Sequence, residues 1–431
     1  MKILLLIPTL LACIFCFGQT PSSQNSPPLI AAPPASAGIS AERLDRIDRM
    51  CEDAVESGEV PGIVALIARH GKIVFHEAYG MSDNGAQREL RKDDIFRIAS
   101  QTKAITATAV MMLWEQGKFQ LDDPISKFIP EFKDATVLNS FRYSDTSFTT
   151  IPAEHEITIR HLLTHTSGIG YGVIDGDEQM KMIYAKAGIT DLFTTHPVTI
   201  EESVKKLAGL PLHHHPGEKW TYSEGLDVLG YFIEIISGMT FADFLETHLF
   251  QPLGMNDTYF YLPETKAARL VTVQKPDGDK WVRYPVTFYD PDYPVKGAKK
   301  FYSGGAGLCS TAKDYATFLQ MYLNGGELNG IRILSRTTIQ SMMANQIGDL
   351  WDGWSGGSDF GLAFGLVNKK GEALGGRGSK GTFDWGGYFN TQYFADPQEK
   401  IIGIIMKQTQ NSTRDQTGWK FRLLVGQSID D

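Results

Sequence analysis

The spacing of hydrophobic and polar residues changes along this chain, and each spacing predicts a different element. Residues 41–57 carry apolar side chains at helical intervals, which predicts an amphipathic helix. Residues 63–69 and 73–79 are rich in branched and aromatic side chains and flank His70-Gly71-Lys72, a sequence that favours a hairpin turn. The N-terminal part therefore predicts one helix followed by two antiparallel strands.

The C-terminal part mirrors this order. Segments 388–395 and 401–407 are strand-like, and 416–427 has a helical pattern, whereas helical patterns dominate from residue 100 to about 255. Pairing the terminal strands gives an α+β fold: an antiparallel sheet from N- and C-terminal strands, flanked by helices, plus a mainly helical lobe. We expect the active site in the cleft between the two lobes.

The first residues have the features of an export signal. A basic start at Lys2 precedes an apolar stretch that ends at the small residue Gly18, so we expect cleavage near Gly18 and export to the periplasm or the medium. A lipoprotein anchored at Cys13 or Cys16 is the less favoured alternative, because the residues before each cysteine fit such a signal poorly. The stretch is too short for a stable membrane span.

The remaining chain is expected to form one catalytic domain. Residues 19–38 are rich in Pro, Ser and Ala and predict a flexible linker. The domain would cover 39–431, with the helical lobe at about 100–290 and the sheet lobe from 39–99 and about 300–431. Signal removal would leave Cys51 and Cys309, which could form a disulfide or stay free and buried.

Charge narrows the classes of partner. The formal net charge is −9 and no long basic run occurs, which argues against nucleic acid and anionic membranes. We expect a small-molecule substrate and no cofactor. The sequence does not predict the oligomeric state.

The candidate nucleophile is Ser100. In Ser100-Gln101-Thr102-Lys103, ahead of a run of small and apolar residues, a helix would place the lysine amine beside the serine hydroxyl. A lysine kept neutral by burial can take the serine proton, so the pair is an activated nucleophile that needs no histidine. The competing interpretation of Ser100 is a simple helix cap.

The same tetrad occurs twice more. Ser203 lies in a pattern typical of a surface helix, and we interpret it as solvated. Ser310 precedes a helical pattern, so Ser310 or Thr311 is expected to be a helix cap. Neither has the buried apolar context of Ser100.

Two further segments carry candidate chemistry. Tyr222 lies in a Pro- and Gly-containing turn before a helical pattern, where its phenol could act as base or relay a proton to a leaving group; packing at a helix entrance is the alternative. Gly386-Gly387 precedes a predicted edge strand, where free backbone N–H groups could join that of Ser100 in an oxyanion hole. A bulge or turn is the alternative there.

Together and in this order, these segments resemble the serine beta-lactamase and penicillin-binding protein superfamily, class C-like branch, and are closest in motifs to the family VIII carboxylesterases. Further matching segments extend the resemblance over about 39–425; they are Leu162-Leu163-Thr164-His165-Thr166-Ser167-Gly168, Pro252-Leu253-Gly254-Met255 and Gly305-Ala306-Gly307-Leu308. The resemblance implies an acyl-enzyme on Ser100, with Lys103 as proton partner and Tyr222 as general base or acid. It also implies oxyanion donors at the backbone N–H groups of Ser100 and Tyr388.

Two departures from the class C pattern guide the choice of substrate. Glu224 stands where these beta-lactamases have the Asn of Tyr-x-Asn, and it would add negative charge beside a cleft that binds an anionic drug. Trp385-Gly386-Gly387 replaces their Lys-Thr-Gly, whose lysine helps to hold the antibiotic's carboxylate. We therefore expect Glu224, Trp385, Gly386 and Gly387 to contact a neutral substrate.

The favoured function is a carboxylesterase on short-chain esters. A class C-type beta-lactamase, or a peptidase or amidase acting on D-amino acid substrates, remains an alternative. A second alternative is a non-catalytic penicillin-binding sensor, which would keep the pocket without turnover.

Three other signals are interpreted as structural. Gly353-Trp354-Ser355-Gly356-Gly357 matches the G-x-S-x-G elbow but lies in a predicted loop. His213-His214-His215 has no partner at ligand spacing, so we predict a solvated loop and no metal site. His165 is expected to be hydrogen-bonded within a turn.

Overall fold

The structure is a computed structural model that describes residues 21–431. The predicted signal at 1–18 lies outside the described residues. The strands are β1 (Ile30–Ala31), β2 (Gly62–Arg69), β3 (Lys72–Asp83), β4 (Arg88–Glu89), β5 (Phe96–Arg97), β6 (Thr136–Arg142), β7 (Ser147–Pro152), β8 (Gln274–Asp277), β9 (Lys280–Arg283), β10 (Cys309–Ser310), β11 (Glu327–Leu328), β12 (Ile331–Arg332), β13 (Ser358–Phe360), β14 (Gly365–Val367), β15 (Phe383–Gly386), β16 (Gln392–Asp396) and β17 (Ile401–Met406).

Helices occupy most of the central part and cover the sheet. They are α1 (Ala41–Glu56), α2 (Thr102–Glu115), α3 (Ile159–Leu163), α4 (Glu178–Ala187), α5 (Ile200–Ala208), α6 (Gly225–Ser237), α7 (Phe241–Leu245), α8 (Gln251–Leu253), α9 (Glu264–Ala267), α10 (Tyr293–Lys296), α11 (Ala312–Leu323), α12 (Arg336–Met342), α13 (Lys369–Leu374) and α14 (Thr417–Gln427). A short 3-10 turn, Ala99–Gln101, leads directly into α2.

The main sheet joins the two ends of the chain, as the sequence predicted. Its strand order is β1-β3-β2-β17-β16-β15-β14-β13, with β4 added beside β3. All neighbours are antiparallel except β1 and β3. The N-terminal and C-terminal strands meet where β2 pairs with β17, and Arg69 there lies opposite Ile401.

Both faces of this sheet are covered, which explains why β2 is a continuous apolar run. Val64, Leu66 and Ala68 face the large core shared with the helical lobe, and the residues between them face a smaller core under α1 and α14. Side chains in a strand alternate between the two faces of the sheet. When both faces are buried, apolar residues are favoured at successive positions. The α+β class is confirmed.

The segment predicted as a flexible linker is instead packed on the domain from residue 21 onward. Leu29 is buried in the large core, and Ile30 and Ala31 pair in parallel with β3. Beyond them, Asp430 N–H donates to Gly38 O at 3.0 Å, so the start of the domain lies beside its C-terminal residues. Composition alone suggested a tether because the few apolar side chains in the segment are separated by prolines and serines.

The predicted strand 388–395 is partly wrong. Residues 387–391 form a turn, the strand β16 begins at Gln392, and β15 precedes the turn. Asn390 has a left-handed φ of 65°, and Gly387 N–H donates to Thr391 O at 2.7 Å to close the turn. The other terminal elements lie within a few residues of their predicted bounds.

Two further findings concern the described part of the chain. No single helix in it is long and apolar enough to span a membrane; α6 taken together with the helical segment Phe241–Leu253 passes that test, but the two are bent by 78°. Cys51 and Cys309 are both buried and free, so the disulfide alternative is excluded.

Candidate active site

Ser100 lies at the N-terminal entrance of α2. It occupies the middle of the 3-10 turn Ala99–Gln101, and Ala99 before it has a left-handed φ of 44°. Lys103 is in the first turn of α2, and its Nζ lies 3.4 Å from Ser100 Oγ. The three-residue spacing thus brings the two groups together on one face of the turn, as predicted.

Lys103 is held by two groups besides the serine. Its Nζ donates to Tyr171 Oη and to the carbonyl oxygen of Gly305, each at 2.8 Å, and the side chain is 2% exposed. Burial raises the pKa of the Tyr171 phenol well above its usual value, so Tyr171 is present as a neutral phenol. A buried amine with three polar neighbours is fixed in position.

Tyr171 was missed by sequence reasoning. It lies between two glycines just after the segment that resembles the superfamily, in Gly168-Ile169-Gly170-Tyr171-Gly172. Its N–H donates to Asp175 Oδ2 at 2.7 Å. A tyrosine bracketed by glycines, close to a matching segment, is the signal that could have pointed to it.

Tyr222 lies directly before α6 and faces the same site. Lys103 Nζ lies 4.6 Å from the centroid of the Tyr222 ring, and the Tyr171 and Tyr222 rings are 5.4 Å apart. Ser100 and Tyr222 line one cavity. Within residues 21–431 no hydrogen bond joins the Tyr222 hydroxyl to Ser100 Oγ, so the structure brings the ring to the lysine and leaves the hydroxyl unbonded to the serine.

The third predicted segment forms the opposite wall of the cavity. β14 pairs with β15 only at Phe383 and Asp384, which leaves Trp385 and Gly386 open to the cavity on that side. At Gly387 a Cβ would lie 2.5 Å from Ile98 O, the carbonyl two residues before Ser100. Only glycine allows this close approach of the β15–β16 turn to the nucleophile.

Tyr388 follows in the same turn. Its side chain packs against Tyr289 and Phe389, and its carbonyl accepts from Gln410 Nε2 at 2.6 Å. Among residues 21–431 no acceptor pairs with its backbone N–H. The side chain of Tyr388 therefore anchors the turn, while the N–H stays available.

Glu224 does not lie where the sequence suggested. Its side chain is 2% exposed and is absent from the cavity wall; it lies in a cluster of carboxyl groups with Asp191 and Asp227. Burial, followed by the charges of these two neighbours, raises the pKa of Glu224 well above its usual value. Glu224 is therefore buried behind the site in surroundings that favour its neutral form, so the expected substrate contact is wrong and its carboxyl group does not lie beside the cleft.

Asp227 connects this cluster to the lysine. Its Oδ1 accepts from Ser303 Oγ at 2.6 Å and from Gly305 N–H at 3.2 Å, and the carbonyl of Gly305 accepts from Lys103. Burial raises the pKa of Asp227, and the nearby Lys103 charge opposes that rise. The cluster thus shapes the electrostatic surroundings of the lysine without touching the cavity.

The cavity itself has a volume of about 1070 Å³. Its wall is rich in aromatic side chains and glycines, and it also contains two arginines. The wall includes Ser100, Tyr222, Trp351, Trp354, Arg377, Asp384, Trp385, Gly386, Gly387, Trp419 and Arg422.

The sequence segments that were predicted to have only a structural role agree with the structure in some cases and differ in others. Thr311 caps α11 by accepting from Asp314 N–H, as expected, and the G-x-S-x-G match lies in a loop followed by β13 rather than a helix. Ser203 is not solvated: it is 5% exposed and donates to Thr190 O at 3.2 Å, because it lies on the inner face of α5.

The histidine run is likewise not a solvated loop. His213 Nε2 lies 3.0 Å from Asp175 Oδ2, and His214 bonds to His215 O and Thr221 Oγ1. His165 is fully buried with Nδ1 3.0 Å from Ser223 Oγ, and burial holds its pKa well below the usual value. Within the described residues no group of three or more potential ligands is placed to hold a metal ion.

Comparison with known proteins decides the family. The model of the family described as beta-lactamase matches residues 47–427. The chain belongs to the beta-lactamase family. It is therefore a serine hydrolase of that family, as the segments around Ser100, Tyr222 and Gly387 indicated.

Among members of the beta-lactamase family, Esterase EstB of Burkholderia gladioli is 32% identical over 396 residues, which cover 88% of this chain and 93% of that protein. The solved structure of EstCE1, a hydrolase with promiscuous acyltransferase activity, matches with a TM-score of 0.75 at 25% identity, over 90% of this chain and 98% of that one. Simvastatin synthase (LovD) from Aspergillus terreus shares the fold, with a TM-score of 0.75 at 20% identity over 91% and 100% of the two chains.

Proposed function

We propose that this chain is a carboxylesterase that forms an acyl-enzyme on Ser100 and acts on esters with a short acyl group. The observation that carries the proposal is the pairing of Ser100 with a buried Lys103 at 3.4 Å, in a cavity walled by Trp385 and two glycines. The esterase among its relatives supports the same reaction. The cavity wall offers apolar contact and no lysine where a penicillin carboxylate would need one.

In this proposal Lys103 and Tyr222 act as one proton-transfer pair. Ser100 Oγ attacks the ester carbonyl carbon while its proton passes to the pair, and the carbonyl oxygen becomes an oxyanion. The backbone N–H groups of Ser100 and Tyr388 stabilise that oxyanion. The pair then returns the proton to the leaving alcohol as the C–O bond breaks, and water releases the acid by the same steps.

The two arginines of the cavity wall are both held by protein groups. Arg422 Nη1 lies 2.6 Å from Asp384 Oδ2, and Arg377 donates to Gly356 O and to Ser358 Oγ at 2.6 and 2.7 Å. Both cations already have partners, so a substrate carboxylate would have to compete for them. Lactams and D-amino acid amides remain the alternative substrates, and a sensor that is acylated without turnover remains the second alternative.

The test is hydrolysis of p-nitrophenyl butyrate and of a chromogenic cephalosporin by the mature protein and by Ser100→Ala. We expect fast ester hydrolysis, little cephalosporin hydrolysis, and loss of both in the variant by at least about 10³-fold. Ser203→Ala is the matched control, since it removes the serine of another Ser-x-x-Lys tetrad far from the cavity. Dominant cephalosporin turnover, or ester turnover that survives Ser100→Ala, would contradict the proposal.

We also propose export with cleavage near Gly18. The support is the basic and apolar pattern of the first residues, which is typical of a secretory signal. The intact mass of the protein recovered outside the cytoplasm tests the cleavage position.

A further inference from the structure

One wall of the cavity is formed by indole rings on a loop that the catalytic steps do not use. The loop between α12 and β13 carries Trp351 and Trp354, and Trp354 is 75% exposed. Trp351 stacks on Trp220 with ring centroids 5.0 Å apart and planes at 23°, and Trp354 meets Trp220 edge to face at 5.6 Å. We call Trp351, Trp354 and Trp385 the indole wall.

The exposure of Trp354 is built into the loop. Asp352 Oδ1 accepts from Gly357 N–H at 2.8 Å, and Lys370 Nζ lies 2.5 Å from Asp352 Oδ2. Arg377 donates to Gly356 O at 2.6 Å. Gly357 lies against Gly371, and a Cβ on it would lie 2.5 Å from the Gly371 backbone. The loop backbone on both sides of Trp354 is therefore held in place, and the largely exposed ring beside the other indoles extends an apolar surface that a ligand could cover.

The indole wall is continuous with the catalytic residues. The Tyr222 and Trp385 rings are 5.9 Å apart, Trp385 and Trp351 are 6.1 Å apart, and Trp351 and Trp354 are 6.1 Å apart. All four line the cavity that contains Ser100. A ligand group that contacts Tyr222 can therefore continue along the three indole rings.

The position of Tyr222 decides which part of an ester reaches this wall. In the proposed mechanism the Lys103 and Tyr222 pair returns a proton to the leaving oxygen, so the alcohol part lies beside Tyr222. Because the indole wall begins at Tyr222, a group on the alcohol side of the ester can reach it.

We propose that the indole wall binds the alcohol part of the substrate, and that this part is a flat aromatic group. Indole faces bind planar rings by offset stacking in addition to hydrophobic burial, and a puckered aliphatic ring of the same size gains only the burial. This substrate class rests on the proposed esterase function. The natural substrates of the protein would then be esters of a small acid with an alcohol that carries an aromatic ring.

The test compares acetate esters that differ only in the alcohol, with released acid followed by pH-stat. We expect kcat/KM for benzyl acetate to exceed that for cyclohexylmethyl acetate about fivefold. The ratio of kcat/KM for 2-naphthylmethyl acetate to that for ethyl acetate should be larger still. Trp354→Ala should lower the ratio of 2-naphthylmethyl to ethyl acetate about tenfold, and Trp354→Phe should restore part of it.

The matched control is Tyr143→Ala, which removes an aromatic side chain of similar exposure, 61%, outside the cavity; it should keep the ratio. Equal rates for benzyl and cyclohexylmethyl acetate would overturn the flat-ring proposal. Loss of the ratio in Trp419→Ala but not in Trp354→Ala would place the ring at the far end of the cavity. Preference for ethyl 2-naphthylacetate over 2-naphthylmethyl acetate would assign the wall to the acyl group.

Failure of the esterase itself gives a different result. If no ester is hydrolysed and a fluorophosphonate probe adds no mass to Ser100, the proposed function falls together with this inference. If Ser100-dependent hydrolysis of ethyl acetate occurs without aromatic preference, only the substrate class is wrong.

Discussion

At the scale of single residues, the ionisation of the buried acids is the property that sequence could not supply. Glu224 lies two residues after Tyr222, but its ionisation depends on Asp191, which is distant in sequence, and on Asp227 in α6. Three carboxyl groups this close in a buried site cannot all be charged. The closeness of Ser100 and Lys103 could be predicted from their spacing, whereas the ionisation of the acids behind them required the fold.

Asp191 gives this cluster a measurable pH dependence. Burial is the main cause that raises its pKa to about 6, above the value near 3.8 expected in the unfolded chain. The folded state thus binds the extra proton, and the stabilising contribution present below pH 4 is lost as the pH rises through 6. Asp191→Asn removes this loss, so the variant's Tm relative to the wild type should rise by a few degrees between pH 4 and pH 7.

Differential scanning calorimetry across that range measures the effect. The exposed Asp45→Asn is the charge-matched control, and its Tm should follow that of the wild type. If the plots of Tm against pH for Asp191→Asn and the wild type are parallel, ionisation of Asp191 does not destabilise the folded protein.

At the scale of elements, the glycine loop ahead of β10 positions the lysine. Thr106 Oγ1 of α2 donates to Gly304 O at 2.7 Å, and a Cβ on Gly304 would lie 2.2 Å from Leu226 O in α6. The loop is therefore clamped between α2 and α6. This close approach requires glycine at residue 304, directly before the segment Gly305-Ala306-Gly307-Leu308.

Gly305→Ala tests the positioning role of this loop. The new Cβ would lie 2.4 Å from Asp227 Oδ2 and 3.2 Å from Tyr171 Oη, so the carbonyl that accepts from Lys103 must move. We expect ester kcat/KM to fall about 100-fold, the loss that a displacement of about 1 Å can cause. Gly176→Ala is the control, because its Cβ would have nothing within 4 Å. Unchanged kcat/KM in Gly305→Ala would mean that the loop adapts without moving the lysine.

The spacing of apolar residues predicted helices and hairpins well, but it failed where a segment's conformation depends on contacts with distant parts of the chain. The helix α1 and the β2–β3 hairpin have strong periodicity and a turn sequence, and they form close to their predicted bounds. Tyr388 and Phe389 have high strand propensity but lie in a turn, because Asn390 adopts a left-handed conformation and their rings pack against the helical lobe. Propensity in strands mostly reflects packing, which a short segment does not reveal.

At the scale of the whole molecule, both cysteines within residues 21–431 are buried. Cys51 lies in α1 over one face of the sheet, and Cys309 lies in β10 near the helical lobe. Burial is the main cause that raises the pKa of each thiol to about 12. Neither thiol forms the reactive thiolate at neutral pH.

Titration with a thiol-reactive disulfide reagent therefore reports global unfolding and signal cleavage together. We expect no reaction of the native mature protein within minutes at pH 8. In guanidinium chloride, two thiols should react if residues 1–18 have been removed, and four if Cys13 and Cys16 are retained. Reaction of the native protein would show that one core opens without global unfolding.

The pairing of β2 with β17 has a consequence for synthesis on the ribosome. Arg69 meets Ile401 about 330 residues later, so the N-terminal hairpin emerges long before its central partner exists. Closing so large a loop costs entropy that no local contact offsets, and folding of such non-local sheets is slow. The nascent chain should therefore stay incompletely folded until its last strands emerge, and ribosome-stalled chains that end before β17 should remain sensitive to protease throughout the sheet.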